Sequence, residues 1–338
     1  SHFQPGAVTI STGEDWSRRR KVNDDVLGAG APIHPLAADF LREIDLVVGP
    51  LLHPRRVSVS WMELAEAFRS MTEGVVFGHD ADARSTLSQL DTLMGRANRI
   101  VQRPHTDRLA SFQREIRTQV RASGGGLAGL VCPHLTPGDP LPVAGQVPHW
   151  IFAMKDTLAV NCAYALALIA SHPDVQQSVR TEVEGVDLSV PEAGDALVLL
   201  EGCLREAMRL WPTTPLILRA AQHDTDLEGI DVVAGEQVVI HNGFNHRHPD
   251  AVPEPDRFVP DRWERDVWDY RFNALSNGPQ ACAGRELVLF IGKALLGRLV
   301  QARRWTLTSP ALRPDRGIPH AFDHTAVVVT ADQSPAVR

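Results

Sequence analysis

The sequence is poor in cysteine, with four in 338 residues, and contains no C-x-x-C pair. Cys132, Cys162, Cys203 and Cys282 lie far apart, which argues against a zinc ribbon and against a disulfide framework. The most apolar run, 158–170, is too short to span a bilayer. The first residues also lack the basic start and apolar middle of a signal peptide. The sequence therefore predicts a cytoplasmic protein with no membrane partner.

Basic residues are not in excess either, because 34 Lys and Arg stand against 41 Asp and Glu, a formal net charge of -7. A protein that binds nucleic acid by neutralising phosphates is expected to have the opposite sign, so that class is disfavoured. With 43% hydrophobic residues the chain has enough apolar side chains for a large core. No repeat, low-complexity segment or linker divides it. We therefore expect one domain over residues 1–338.

Hydrophobic periodicity predicts a mainly α protein with small β-sheets, an α+β fold class. Ser60 and Glu63 form a candidate capping box at the start of one helix. Helices are expected at 15–27, 36–52, 60–77, 83–99, 106–122, 143–171, 173–183, 197–210 and 284–303. Strands are expected at 216–220, 231–233, 237–241 and 326–329, and 246–280 should be irregular. The helix 143–171 is apolar nearly all round, which is typical of the centre of a large protein.

Cys282 has the clearest chemistry in the sequence. It stands between an irregular loop and a helix start, where backbone N–H groups and the helix dipole are expected to lower the pKa of its thiol. Gly278 and Gly284 would let a flat group approach the loop backbone. A thiolate placed in this way suits the axial ligand of a haem iron. The alternative, from the cysteine alone, is a buried structural thiol.

Three motifs in order carry a resemblance to a known family. The first is Glu206-x-x-Arg209, whose spacing puts both side chains on one helix face. The second is the segment Pro255-Asp-Arg257-Phe258, and the third is the loop around Cys282. Together they resemble the cytochrome P450 superfamily of haem-thiolate enzymes. The resemblance implies haem b as cofactor, Cys282 as iron ligand, and Arg257 as the arginine that completes a triad with the Glu–Arg pair.

The same resemblance extends to residues that would hold and serve the haem. Trp16 and Arg20 match a family helix that binds one haem propionate, and Arg219 matches a second propionate-binding position. Gly278, Gln280 and Gly284 would border the cofactor within the cysteine loop. Asp156 and Thr157 resemble the acid–alcohol pair that delivers protons during dioxygen activation. An acid in an apolar helix needs a task or a partner, although Thr157 could instead serve only to bend the helix.

The sequence also departs from the family pattern. Leu275 replaces a phenylalanine, and Gln280 replaces a cation that would face a propionate. Met154, followed by Lys155, occupies the place of a glycine that makes room for dioxygen.

Only 15 residues precede Trp16, which predicts a cytochrome P450-like fold without the family's N-terminal strands and first helices. The sheet would then have an open edge, which we expect a second copy or another chain to cover.

These observations leave three functions open. The first is a haem-thiolate monooxygenase that oxidises a small, mostly apolar molecule with dioxygen. Its electrons would come from a ferredoxin and ferredoxin reductase, with docking near Arg19, Arg285, Lys293 and Arg298. The second is a haem-thiolate enzyme that uses peroxide or catalyses an isomerisation, coupling or dehydration, favoured by Met154 and Lys155 over the iron. The third is a degenerate, non-catalytic partner protein.

Overall fold

The computed structural model describes residues 4–97, 106–134, 143–265 and 270–332. Most of the described chain is helical, as the periodicity predicts. The α-helices are α1 (Gly13–Leu27), α2 (Ala37–Leu51), α3 (Trp61–Phe77), α4 (Arg84–Ala97), α5 (Thr106–Ala122), α6 (Gly126–Val131), α7 (Val147–Phe152), α8 (Ala159–Ser171), α9 (Pro173–Val183), α10 (Val198–Leu210), α11 (Asn242–Asn245), α12 (Arg262–Arg265) and α13 (Arg285–Ala302). The last two residues of the helix expected at 83–99 lie outside the described part.

The strands of the described ranges form three small antiparallel sheets. They are β1 (Ser58–Ser60), β2 (Leu216–Ala220), β3 (Thr225–Leu227), β4 (Ile230–Val232), β5 (Gln237–His241), β6 (Trp305–Ser309) and β7 (Val328–Ala331). One sheet has the order β1-β7-β6, and the others are the pairs β2-β5 and β3-β4. Expected strands 216–220 and 237–241 are confirmed. The strand expected at 326–329 begins two residues later, because His324–Ala326 forms a 3-10 turn.

The helix expected at 143–171 is more complex than predicted. Val143–Gln146 is a 3-10 turn, and a π-helical segment, Ala153–Leu158, separates α7 from α8. Pro148 lies in the first turn of α7, where its missing N–H costs no hydrogen bond. We call 147–171 the central helix.

The central helix packs inside the protein. Within the described ranges, it is one stretch long and apolar enough to cross a membrane by length and composition, although it includes the charged residues Lys155 and Asp156. However, 67% of its most apolar window is buried in the protein, as in the core helix of a globular domain. α8 packs against α10, and α10 packs against α13. The central helix therefore lies in the core, in contact with α10, which in turn contacts α13.

The start of α3 shows how local sequence fixes an element. Ser60 Oγ accepts a hydrogen bond from the Glu63 N–H at 3.4 Å, and a Glu63 carboxylate oxygen accepts one from the Ser60 N–H at 2.8 Å. This reciprocal capping box satisfies two N–H groups at the helix end. The sequence prediction of this helix start is confirmed.

Candidate active site

One cavity of about 460 Å³ brings most of the predicted site residues together. It lies between α1, the central helix, β2 and the loop before α13. Seven of the nine predicted site residues line it, namely Trp16, Arg20, Thr157, Arg219, Gln280, Cys282 and Gly284. Asp156 is adjacent to Thr157, and Gly278 lies two residues from both Ser276 and Gln280, but neither Asp156 nor Gly278 is part of the wall. Residues separated by up to 268 positions in the sequence therefore meet at one place.

The cysteine loop is fixed by its own backbone. The Cys282 N–H donates to the Leu275 carbonyl at 2.8 Å, and the Ala281 N–H donates to the Gly278 carbonyl at 3.0 Å. Gly278 has φ +61°, a left-handed conformation that favours glycine. The loop then runs into α13 at Gly284. This geometry holds the Cys282 side chain against the cavity.

The environment of the Cys282 thiol has two opposing effects. The side chain is surrounded by protein yet accessible from the cavity. Burial raises the pKa of the thiol, and this effect outweighs the Gly284 N–H and the charges of Arg285 and Arg20, which lower it. The expectation of a lowered pKa is therefore wrong for the protein alone, because the cost of desolvation exceeds the help from the helix start.

Arg20 connects α1 to the cysteine loop. Its Nε donates to both oxygens of Asp24, at 2.8 and 3.0 Å. Its Nη1 donates to the carbonyls of Pro279, at 3.2 Å, and Ala281. Trp16 lies one turn earlier and also lines the cavity. The guanidinium is thus held in one orientation at the cavity wall.

Arg219 approaches the cavity from β2. Its side chain is exposed, and its Nη1 donates to the Leu218 carbonyl at 3.0 Å. Among the described residues it has no acidic partner. Its charge is therefore available to an anion in the cavity.

A buried charge cluster lies behind the cavity, and it corrects one sequence assignment. Glu206 and Arg209, both fully buried, pair through two hydrogen bonds at 2.6 and 2.9 Å. The third member is Arg262, whose Nε lies 3.1 Å from a Glu206 oxygen. Arg257 contributes only its backbone carbonyl, which accepts from Arg209 at 2.9 Å. The assignment of Arg257 to the triad is wrong, since the fold turns its side chain outward.

The π-helical segment carries the candidate acid–alcohol pair. Thr157 and Met154 line the cavity. Lys155 points elsewhere, because its buried ammonium pairs with Asp91 of α4 and Asp156, each at 2.8 Å. The expectation that Lys155 lies over the cofactor is wrong. The other Asp156 oxygen, Oδ2, is buried with no hydrogen-bond partner among the described residues.

The structure adds two polar residues that the sequence analysis does not single out. His149 and Asn161 line the cavity from the central helix, and Thr157 lies between them, eight and four residues away. Asn161 Nδ2 donates to the Thr157 carbonyl at 3.0 Å. Residues four apart share a helix face. The positions of His149 and Asn161 could therefore be predicted from Thr157, because they lie eight and four residues from it.

The predicted docking cluster is largely buried. Arg19 is 4% exposed and donates to Ser11, Lys293 pairs with Glu201 at 2.6 Å, and Arg298 pairs with Asp45. Of the four predicted cations, Arg285 is the one beside the cysteine loop. It donates a hydrogen bond to the Ser276 carbonyl at 2.9 Å. The expectation of a four-residue basic docking surface is therefore wrong.

The residues of the cavity fit an iron porphyrin. A thiol is the donor that one haem class requires, and Cys282 offers one that is accessible from the cavity. Arg20 and Arg219 supply cations suited to carboxylate groups. The remaining wall is largely apolar and includes Leu27, Leu158, Leu275, Leu287 and Val288.

Comparison with known proteins agrees with this fit. The sequence profile of the family described as Cytochrome P450 matches residues 142–321, just over half of the chain. Cytochrome P450 81D1 of Arabidopsis thaliana is 30% identical over 168 residues, 48% of this chain and 34% of that protein. Cytochrome P450 3A29 of Sus scrofa is 32% identical over 160 residues, 45% and 32% of the two chains. The matched part thus spans about a third of these relatives.

A solved structure supports the fold class over nearly the whole chain. Cyanobacterial CYP120A1, solved with bound retinoic acid, superimposes with a TM-score of 0.77 and 20% identity. The match covers 97% of this chain and 81% of the cyanobacterial chain. The predicted mainly helical, cytochrome P450-like fold is confirmed. The chain belongs to the cytochrome P450 family, whose members are haem oxidoreductases, usually monooxygenases, with haem b as cofactor.

Proposed function

We propose that this chain is a haem-thiolate monooxygenase acting on a small, mostly apolar molecule. The observation that carries the proposal is the accessible thiol of Cys282 on the wall of a cavity that Arg20 and Arg219 also line. Cys282 would ligate the iron, and Trp16, Arg20 and Arg219 would bind the propionates. Gly278, Gln280 and Gly284 would shape the loop beside the cofactor. The whole chain would act as one haem-binding domain.

When bound, haem supplies the activation of dioxygen, which thiolate ligation favours. The chain supplies protons and excludes water. Thr157 lines the cavity, where its hydroxyl group would donate a proton. Lys155 holds Asp156 Oδ1, so Oδ2 is the oxygen that would pass a proton towards Thr157. The apolar wall would keep bulk water away from the reacting substrate.

The proposed electron donor is a ferredoxin reduced by a ferredoxin reductase. Its docking site would lie on the Cys282 side, where Arg285 is next to the cysteine loop. Arg18 and Lys21 of α1 are exposed, but they are paired with Asp15 at 3.2 Å and with Asp25 at 3.0 Å, respectively. We propose that the reaction takes place in the cytoplasm. A second copy or another chain would cover the exposed face of β2 and β5.

The first test is the spectrum of the reduced protein under carbon monoxide. Haem-loaded protein should show the red-shifted Soret band of thiolate ligation, and Cys282→Ala should lose that band completely because it removes the only thiol among the described residues that line the cavity. Cys162→Ala is the matched control, since Cys162 is buried in α8 away from the cavity wall. A Cys282→Ala protein that keeps the band would overturn the assignment of the ligand.

Met154 favours a second candidate, a haem-thiolate enzyme that uses peroxide or catalyses an isomerisation, coupling or dehydration. Its buried side chain lines the cavity next to the acid–alcohol pair, where it would restrict access by dioxygen. Lys155 gives this candidate no support, because it is paired outside the cavity. Product formation with ferredoxin and dioxygen, compared with product formation from peroxide, distinguishes the two. A protein that takes up no haem would instead indicate a non-catalytic partner.

A further inference from the structure

The segment before α1 is fixed against the start of the central helix. Gln146 is fully buried, donates to the Gly6 carbonyl and accepts from the Val8 N–H at 2.9 Å. A Cβ on Gly145 would lie 3.2 Å from Gly6 Cα, so the two backbones touch here. Val8 and Thr9, which line the cavity, are therefore held in a defined position.

His149 lies at this contact and lines the same cavity. Its Nδ1 is 3.0 Å from Gln4 Oε1. Because an amide oxygen can only accept a hydrogen bond, Nδ1 carries the proton and Nε2 is an acceptor. Burial lowers the pKa of His149 to about 4, so the ring is neutral at neutral pH. Within the described ranges, Nε2 has no hydrogen-bond partner.

The wall around this acceptor is mostly apolar. The Phe152 ring lies 6.4 Å from the imidazole, measured between centroids. Ala153 and Met154 line the cavity from the same helix, four and five residues after His149, and Val8 lines it from the segment before α1. A ligand that fills this space displaces water from Nε2. Leaving a buried acceptor unpaired is unfavourable, so a ligand with a donor at this point is selected over one without.

We propose that His149 determines specificity by accepting a hydrogen bond from the substrate. The substrate is then a molecule that is apolar over most of its surface and carries one hydroxyl or N–H group directed at Nε2. The binding of such a molecule is inferred from the cavity alone, whereas its conversion to product rests on the proposed function.

Calorimetric titration of the haem-loaded protein with menthol and with menthyl methyl ether tests this assignment. The two probes share an apolar body and an acceptor oxygen, and only menthol has a donor. We expect menthol to bind about tenfold more tightly, the effect of one hydrogen bond. The preference should disappear in His149→Leu and return in part in His149→Gln, which restores an acceptor. Phe152→Leu, on the same wall, should keep it.

The inference is overturned if the native protein binds both probes equally or binds neither, or if His149→Leu keeps the preference. The carbon monoxide spectrum of the same samples reports on the proposed function separately. A lost preference with the thiolate band intact contradicts only the role of His149. A missing band with the preference intact contradicts only the haem-thiolate assignment.

Discussion

At the scale of single residues, Glu206 shows how a buried charge is retained. Its two oxygens accept from Arg209, one lies 3.1 Å from Arg262, and the other also accepts from the Val259 N–H at 3.0 Å. A buried carboxylate with this many partners is stabilised, while removal of one partner leaves a desolvated charge. The cluster ties α10 to the irregular segment before the cysteine loop.

Arg262 and Arg257 should contribute differently to the free energy of unfolding. Arg262→Ala should lower the free energy of unfolding by about 2–3 kcal/mol, because it removes a charged partner of Glu206 and hydrogen bonds to the Pro253 and Glu254 carbonyls. Arg257→Ala should change it by less than about 0.5 kcal/mol, since that side chain is exposed. Urea unfolding of both variants measures the difference. Equal losses would contradict the assignment of Arg262.

Arg257 and Arg262 also show what the sequence alone does not predict. Asp-Arg followed by an aromatic residue occurs twice, at 256–258 and at 261–263. Local sequence does not separate the two copies, because the fold alone decides which arginine turns inward. Trp16, Arg20, Arg219 and Cys282, by contrast, each occur in an unrepeated pattern, and all four line the cavity.

At the scale of elements, the central helix carries its site residues on an altered turn. In an α-helix each fourth residue rotates about 40° beyond a full turn, since a turn takes about 3.6 residues. The wider π turn reduces that drift, and His149, Ala153, Thr157 and Asn161 all line one cavity. The sequence predicts the helix but not its π segment, because apolar residues all round the helix give no signal for the local turn. Short strands such as β1 are missed because their partners lie far away in sequence.

Asp91 of α4 holds this π segment and gives an element-scale prediction. Partial burial raises the pKa of Asp91, but hydrogen bonds and charges from Lys155 and Arg69 outweigh it, so the pKa is lowered. The ion pairs therefore stabilise the fold fully above the carboxyl's ordinary pKa of about 3.9. That stabilisation is lost as the pH falls through the lowered value.

We therefore expect Asp91→Asn to be less stable than the native protein at pH near 7. The difference should shrink at pH near 3, which is below the ordinary carboxyl pKa, because protonation of Asp91 in the unfolded chain then offsets the ion pairs. Urea midpoints at both pH values measure this. Asp250→Asn is the control, because the Asp250 side chain is 90% exposed. A stability difference that does not depend on pH would show that Asp91 acts through packing instead.

At the scale of the whole molecule, the haem-binding features converge on one cavity while an apolar sheet surface remains exposed. Leu218 of β2 and Val239 of β5 lie opposite each other and are 62% and 54% exposed, and Leu218 also lines the cavity. The motifs and their order predict the family and its cofactor. They do not predict which cations are buried, since Lys293 and Arg298 pair with acids that are distant in sequence.

The exposed β2–β5 face gives the last prediction. If a second copy covers it, light scattering should show mass increasing with protein concentration, because exposed apolar residues on paired strands favour association. Val239→Lys should then give a monomer at all concentrations, since cations brought together in a shared interface repel. Met62→Lys is the control, because Met62 is 72% exposed on α3, away from this sheet. A native protein that stays monomeric at high concentration would exclude a second copy and leave another chain as the partner of this face.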